Sequence, residues 1–274
     1  MSAEKMIRIE KTLYPGGTDH VLTMSYDDGT EYDRRLVELF NRYGIRGSFH
    51  LISGRLDHPG YITSAEVATL YQNHEVSSHT VTHQWNTHLP DENVLHESLD
   101  DRKALEALCG YVVSGMSYPY GDYDARTIAL FRACGIEYSR TTHSTMDFNF
   151  PADPLTWHPT CASRESMMDR LEAFYEPRKY ENGRLLYIWG HSFEFDRPEY
   201  ANSWDLMEEF CKRAAGHENT WYATNIEIID YRNAQKALRV SANGSILYNP
   251  TFTDVWVKAD GQAVCIPAGQ TVKL

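Results

Sequence analysis

The chain has 274 residues, 42% of them hydrophobic and 12% aromatic, enough to bury one large core of the size a (β/α) barrel needs. Its formal charge is -12 and no run of Lys or Arg forms a basic stripe, which argues against nucleic acid and anionic membranes as partners. The first ten residues carry charges with no apolar h-region, no apolar run reaches bilayer length, and the five cysteines, Cys109, Cys134, Cys161, Cys211 and Cys265, show no Cys-x-x-Cys spacing. A cytoplasmic protein with buried thiols is expected, rather than a disulfide scaffold or a zinc knot.

Val21-Leu22-Thr23-Met24-Ser25 reads as a buried strand that leads into Tyr26-Asp27-Asp28 and breaks at Gly29-Thr30. Adjacent Asp side chains in extended backbone point opposite ways, so one can bind a metal while the other takes a proton. Leu36, Val37, Leu39 and Phe40 predict a helix over 33–43 that stops at Gly44, and residues 47–52 predict a strand. Thr63-Ser64-Ala65-Glu66 has the form of a capping box before Val67, Leu70 and Tyr71. Residues 75–78 then form a short strand into His79-Thr80-Val81-Thr82-His83. Asp-Asp-Gly alone also makes an N-capped turn, and His-x-x-x-His alone recurs by chance. Together they offer two imidazoles and a carboxylate, a set suited to a divalent metal with open positions.

A helix follows over 91–109, a strand over 111–116, and then Ser117-Tyr118-Pro119-Tyr120-Gly121. A helix over 124–134, an extended stretch over 136–142 and a long polar-aromatic loop over 143–160 come next. Ser163 is placed to cap a helix to about Glu176, and Arg184-Leu185-Leu186-Tyr187-Ile188-Trp189 is a strand delivering Gly190-His191. A helix over 202–215, a strand over 221–224 and a helix to Ala237 complete about seven strand–helix units with a parallel sheet. The polar candidates fall at strand C-terminal ends, where β/α barrels place their chemistry. Beyond residue 237, Asn243-Gly244 and Asp260-Gly261 mark two hairpins. The expected organisation is a barrel over 1–237 and a small β appendage over 238–274. Asn243-Gly244-Ser245 also matches a glycosylation acceptor, which a turn explains more simply.

Four of these stretches, in order, resemble the motifs of the polysaccharide deacetylase family, carbohydrate esterase family four: Ser25-Tyr26-Asp27-Asp28-Gly29, His79-Thr80-Val81-Thr82-His83, Ser117-Tyr118-Pro119-Tyr120-Gly121 and Leu186-Tyr187-Ile188-Trp189-Gly190-His191. The resemblance covers about residues 20–195. It implies a distorted (β/α) barrel of about seven parallel strands with one divalent metal ion, zinc or else Co, Ni or Mn. It further implies Asp28, His79 and His83 as ligands, Asp27 as general base, His191 as general acid and the Tyr120 N–H on the oxyanion. The implied reaction removes an acetyl group from an N- or O-acetylated carbohydrate. With no export signal in view, a cytoplasmic oligosaccharide or small glycoconjugate is the expected partner.

The chain departs from the family pattern in two places. Ser117 stands where the third motif has an Arg, and Arg140 in Tyr138-Ser139-Arg140-Thr141 is expected to supply the guanidinium from a neighbouring strand end. The family's Asp-x-x-Asp-Trp motif has only Asp153-Pro154-Leu155-Thr156-Trp157 as a distant counterpart, so no partner for His191 is assigned. Tyr118, Pro119, Trp157, Trp189 and Glu194 are expected to contact substrate, with Phe148, Phe150, His158 and Phe193 as further aromatics near them. His50, His88, His96 and His143 are expected to be ordinary surface or core histidines. Two other readings remain at this stage: an amidohydrolase on a ureide, cyclic imide or formamide, and a non-catalytic carbohydrate-binding protein.

Overall fold

The computed structural model describes residues 6–177, 183–200 and 202–274. In chain order the elements are β1 (Ile9–Glu10), β2 (His20–Asp28), α1 (Asp33–Tyr43), β3 (Gly47–Leu51), α2 (Val67–Leu70), β4 (Glu75–Ser78) and α3 (Asp91–Cys109). They continue through β5 (Gly115–Ser117), α4 (Ala125–Ala133), β6 (Tyr138–Arg140), β7 (Cys161–Ala162), α5 (Met167–Tyr175) and β8 (Arg184–His191). After these come α6 (Trp204–Ala214), β9 (Thr220–Tyr222), α7 (Asn225–Ala237), β10 (Arg239–Val240), β11 (Ile246–Tyr248), β12 (Val255–Ala259), β13 (Gln262–Ile266) and β14 (Thr271–Lys273).

One parallel sheet runs β6-β5-β4-β3-β2-β8-β7. Residues 20–22 of β2 pair with β9, and β3 takes over from Met24 onward. The curl is drawn together by the segment after the long loop. Trp157 donates its N–H to Ser139 and accepts from Thr141, both at 3.0 Å, while Thr160 donates to Tyr187 at 2.8 Å, stitching β6 towards β8. The fold is therefore the expected distorted β/α barrel. Its central strand β2 is buried on both faces from Val21 to Asp27, as a parallel strand covered by helices must be.

Helix α1 turns Leu36, Val37, Leu39 and Phe40 inward and ends at Gly44, whose φ of 67° suits glycine. With Trp204, Met207 and Phe210 of α6 it covers Tyr26 and Phe49, each large side chain contributing about 2 kcal/mol by burial. The parallel register sets two rows across the barrel. Ser25, Ser48 and Glu75 share one row, and Asp27, His50 and Ser77 share the row two residues higher.

Several local expectations are corrected. Residues 111–114 are not a strand: Val112 is 73% exposed, and pairing begins at Gly115. Thr63 donates to the Glu66 carboxylate at 2.9 Å instead of capping a backbone N–H, and a 3-10 turn precedes the one-turn α2. Ser163 is buried and α5 starts later, at Met167. Thr224 is not in a strand but forms the N-terminal capping box of α7 with Glu227.

The tail forms two hairpins, β10–β11 and β12–β13, the second turning through Asp260 and Gly261, both with positive φ. Two partners come from outside the hairpins: β1 pairs with β12, and β14 pairs with β11. Leu247, Val255, Val257 and Ile266 pack on Ala234 and Leu238 at the end of α7. Among the described residues no helix is long and apolar enough to cross a membrane, and all five cysteines are free.

Candidate metal centre and active site

Asp27 and Asp28 end β2, but they do not point to opposite faces. Asp28 leaves the extended region at φ 82°, so both carboxylates approach the same imidazole. His79 Nε2 lies 3.8 Å from Asp27 Oδ2 and 3.6 Å from Asp28 Oδ1. His79 follows β4 directly, and Thr80 and His83 both have positive φ, so the two histidines converge through a tight loop rather than a helical turn. His83 Nε2 lies 3.8 Å from Asp28 Oδ1. One ligand atom from each of Asp28, His79 and His83 falls within 4.8 Å of the others.

This donor set fits a divalent metal. Asp28 Oδ1 is buried without a hydrogen-bond partner, an arrangement that costs free energy unless something occupies it. His79 Nδ1 faces Ser117, 2.9 Å from its carbonyl and 2.7 Å from its Oγ, which leaves Nε2 for a metal. Two imidazoles and a carboxylate are donors of the kind that would hold a divalent transition metal there.

Asp27 is held from two sides. Ser117 Oγ donates to Oδ1 at 3.0 Å, and Arg140 Nη2 donates to Oδ2. Ser117 and Arg140 are register partners on β5 and β6, so the guanidinium reaches Asp27 from one strand further round. Arg140 is itself fully buried, with its guanidinium 4.3 Å above the Trp189 ring and Nη1 donating to the Thr141 carbonyl. Burial alone raises a carboxyl pKa, but here Arg140 and then His79 outweigh it and hold Asp27 well below the usual carboxylate range. Burial pushes His79 down to about 3, keeping it neutral.

His191 ends β8 as the register partner of Asp27. Its Nδ1 lies 3.1 Å from Glu194 Oε1, which also accepts from Arg164 at 2.7 Å. A carboxylate acceptor places the proton on Nδ1 and turns Nε2 towards the site. Burial opposes the imidazolium, but the Glu194 hydrogen bond and the Asp28 and Asp27 charges raise the pKa of His191 overall. The turn over Ser192–Asp196 brings Glu194 back, and Gly190 makes room for it: a Cβ there meets Ser163 Oγ at 2.5 Å and Glu194 Oε2 at 3.4 Å.

The expected substrate contacts require correction. Tyr118 is buried, donating to the Leu155 carbonyl, and Trp157 is buried between Tyr138 and Tyr187. Pro119 is buried in its turn, Trp189 lies under Arg140, and Glu194 holds His191. All five are packing or support residues because the inward rows and the closing segment leave them no open surface. The loop aromatics Phe148 and Phe150 likewise join core clusters, whereas Phe193 sits 5.1 Å from His191 and His158 bonds Thr141. Tyr120, at φ 59°, is half-exposed beside His83. His50 is a core histidine bonded to Ser25, His96 pairs with Asp100 on the surface, His88 lies beside Trp85, and His143 is exposed beside His158.

Sequence reasoning missed Ser117 as a bridge and Glu194 as the partner of His191. The signal for Glu194 was its spacing of three residues after a strand-ending His. Ser117 had no such signal.

Residues 15–139 match the model of the polysaccharide deacetylase family. Chitin deacetylase 1 of Cryptococcus neoformans var. grubii is 25% identical over 169 residues, covering 58% of this chain and 35% of that protein. Peptidoglycan-N-acetylglucosamine deacetylase of Bacillus cereus is 24% identical over 90 residues, covering 32% of this chain and 41% of that protein. Each match thus spans less than half of the relative's length. Among solved structures, a putative polysaccharide deacetylase from Mycobacterium smegmatis matches with a TM-score of 0.62 at 16% identity, over 85% of this chain and 96% of that one. The peptidoglycan deacetylase PdaC from Bacillus subtilis gives 0.54 at 15% identity, over 80% and 94%. At those identities the structural likeness is one of fold. The barrel has the fold of these solved deacetylases, and residues 15–139 are similar in sequence to the polysaccharide deacetylase family. The family match ends just before Arg140, so it includes neither Arg140 nor His191.

Proposed function

We propose that this protein is a metal-dependent hydrolase that removes an acetyl group from an N- or O-acetylated carbohydrate. The observation that carries the reading is the pairing of an unpartnered Asp28 oxygen and two imidazoles with a braced Asp27 on one side and His191 on the other. The family match and the names of the two curated relatives support an acetylated sugar as substrate. Asp28, His79 and His83 would hold the ion, for which we propose zinc. A divalent ion there would supply Lewis acidity and lower the pKa of a coordinated water towards about 7.

Asp27, kept ionised by Arg140 and oriented by Ser117, takes the proton of the attacking water. The water oxygen bonds to the acetyl carbon and the carbonyl oxygen gains charge, and the Tyr120 N–H would donate a hydrogen bond to that oxygen. The C–N or C–O bond then breaks, with His191 Nε2 passing its proton to the departing amine or alkoxide. Glu194 and Arg164 keep the imidazole turned for that transfer.

The experiment is metal analysis of the purified protein with acetate release from acetylated sugars, including chito-oligosaccharides, under added Zn, Co, Ni and Mn. We expect one ion per chain and acetate release, both lost in His79→Ala, while Asp27→Asn keeps the ion and loses turnover by at least a hundredfold. Bound metal without acetate from any sugar would transfer the site to another amide. Turnover surviving Asp27→Asn would remove Asp27 as the base.

A further inference from the structure

Helix α3 turns one stripe inward, Val94, Ser98, Asp101 and Leu105, at the spacing of a packed helix. Val94 and Leu105 enter two different core clusters and fix the helix against the barrel. Between them Asp101 is a fully buried carboxylate at a position of the kind that apolar side chains ordinarily fill. Glu97 stands one turn earlier on the same side of the helix. The hydrolysis proposed above uses neither group.

Both carboxylates reach the loop that carries the two histidines. Asp101 Oδ1 accepts from the Ser53 N–H at 2.9 Å and Oδ2 from Ser78 Oγ at 2.5 Å, tying the end of β4 to the segment after β3. Glu97 takes the middle of the loop. Its Oε2 accepts from the Thr82 N–H at 2.8 Å, its Oε1 from the Thr82 hydroxyl, and its carbonyl from the Val81 N–H at 3.3 Å. Thr80 donates its N–H to Ser78 Oγ at 3.3 Å, and His83 donates its N–H to Thr80 Oγ1 at 3.2 Å. Each backbone N–H from Thr80 to His83 thus has an acceptor, and Glu97 alone serves Val81 and Thr82. From the other side Gly54 donates to the Val81 carbonyl at 3.1 Å, so close that no Cβ fits on Gly54.

The loop needs these ties. Thr80 at φ 66° and His83 at φ 61° stand in the left-handed region, which a β-branched residue seldom occupies, and such backbone persists only where its surroundings hold it. None of the ties uses an imidazole nitrogen, so the loop takes this shape without help from an ion. We propose that Glu97 and Asp101 are positioning residues that preset His79 and His83 for the metal. An ion that meets a loop already shaped spends none of its binding free energy on ordering it. A relaxed loop binds the same ion more weakly and with its ligands differently arranged. This inference rests on the metal-dependent reading and is independent of which acetylated sugar is the substrate.

The test uses the full chain, loaded with Zn or Co and, separately, freed of metal by chelator. In Glu97→Ala we expect zinc affinity to fall about tenfold or more in a chelator competition. The visible absorption of the Co-loaded protein, which reports ligand geometry, should change with it. In the metal-free protein amide exchange should quicken at Thr80 to His83 and not across the rest of the barrel. Glu97→Gln can still accept from the Thr82 N–H and can donate to the Thr82 hydroxyl, so it should recover most of the affinity and the wild-type spectrum. Asp101→Ala should act in the same direction and Asp101→Asn recover it; should Asp101→Ala fail to fold, the Glu97 variants decide. Unchanged zinc affinity and Co spectrum in Glu97→Ala would overturn the positioning role and leave the deacetylase reading standing. A loss of affinity that Glu97→Gln does not recover, or that merely follows a loss of stability in the metal-free protein, would also overturn it. A wild-type chain that binds no metal would overturn both.

Discussion

Two rows of the barrel interior, two residues apart along the strands, treat buried carboxylates in opposite ways. In the lower row Glu75 accepts from Ser48, Ser77 and Tyr138, each at 2.6 Å, and from the Ile226 N–H at 2.9 Å. Burial pushes its pKa up while these donors pull it back, and nothing is left over for a ligand. In the upper row Asp27 accepts one hydrogen bond on each oxygen, from Ser117 and Arg140, and the neighbouring Asp28 keeps a buried oxygen without a partner. Both rows are polar and both are buried. The lower one ties β3, β4, β6 and the start of α7 together, and the upper one keeps coordination capacity open. A buried carboxylate therefore signals function by what remains unsatisfied around it, rather than by burial.

Removing the charge that braces the upper row should have the largest effect. Arg140→Gln leaves Asp27 buried without its counter-charge, so we expect a loss of stability of about 3 kcal/mol or more and a fall of at least a hundredfold in kcat/KM. Wild-type activity in a folded Arg140→Gln protein would mean that Asp27 needs no bracing. The lower row should respond in stability alone. Glu75→Ala strands three hydroxyls and one N–H, for an expected cost of about 3 kcal/mol in denaturant unfolding, with metal affinity retained. If metal affinity falls while stability holds, the two rows are not separable in this way.

Ser117 joins His79 to Asp27 within the upper row. Ser117→Ala should weaken metal binding about tenfold in a chelator competition, and an unchanged constant would confine Ser117 to packing. The smallest expected effect is a pH slope. Asp33, in the first turn of α1, accepts from Ser192 and Tyr71, and burial raises its carboxyl from 3.8 to about 7. Because the folded pKa lies above the unfolded one, its favourable contribution is complete below the unfolded value and is lost as pH rises through about 7. Unfolding followed in chelator should show stability falling across that window, and Asp33→Asn should flatten the fall. An unaltered slope would assign it to other groups.

Much of the upper row was legible in the sequence, because strand ends can be read locally. Val21 to Ser25 is apolar enough to be a buried strand, and a polar residue that ends such a strand in a β/α fold faces the open end of the barrel. The capping and strand signals that failed, at Thr63, Ser163 and residues 111–114, were local patterns overruled by packing that spans the chain. Aromatic content misled in the same way. Trp157 and Tyr118 look like sugar contacts in a sequence, but the segment that draws β6 towards β8 buries Trp157, and Tyr118 turns inward to bond Leu155.

By itself the sequence determined the alternation of strands and helices, the order of the motifs and hence which residues stand at strand ends. These depend on periodicity and short-range chemistry carried within each segment. Only the tertiary structure decided that Asp28 turns through a left-handed conformation to share an imidazole with Asp27. It likewise decided that Glu194 rather than a distant motif holds His191, and that Trp85 stacks on Tyr120 beside His83. Those relations join residues from different loops and strands, and hydrogen bonds and ring contacts between them exist only once the register of the barrel is set.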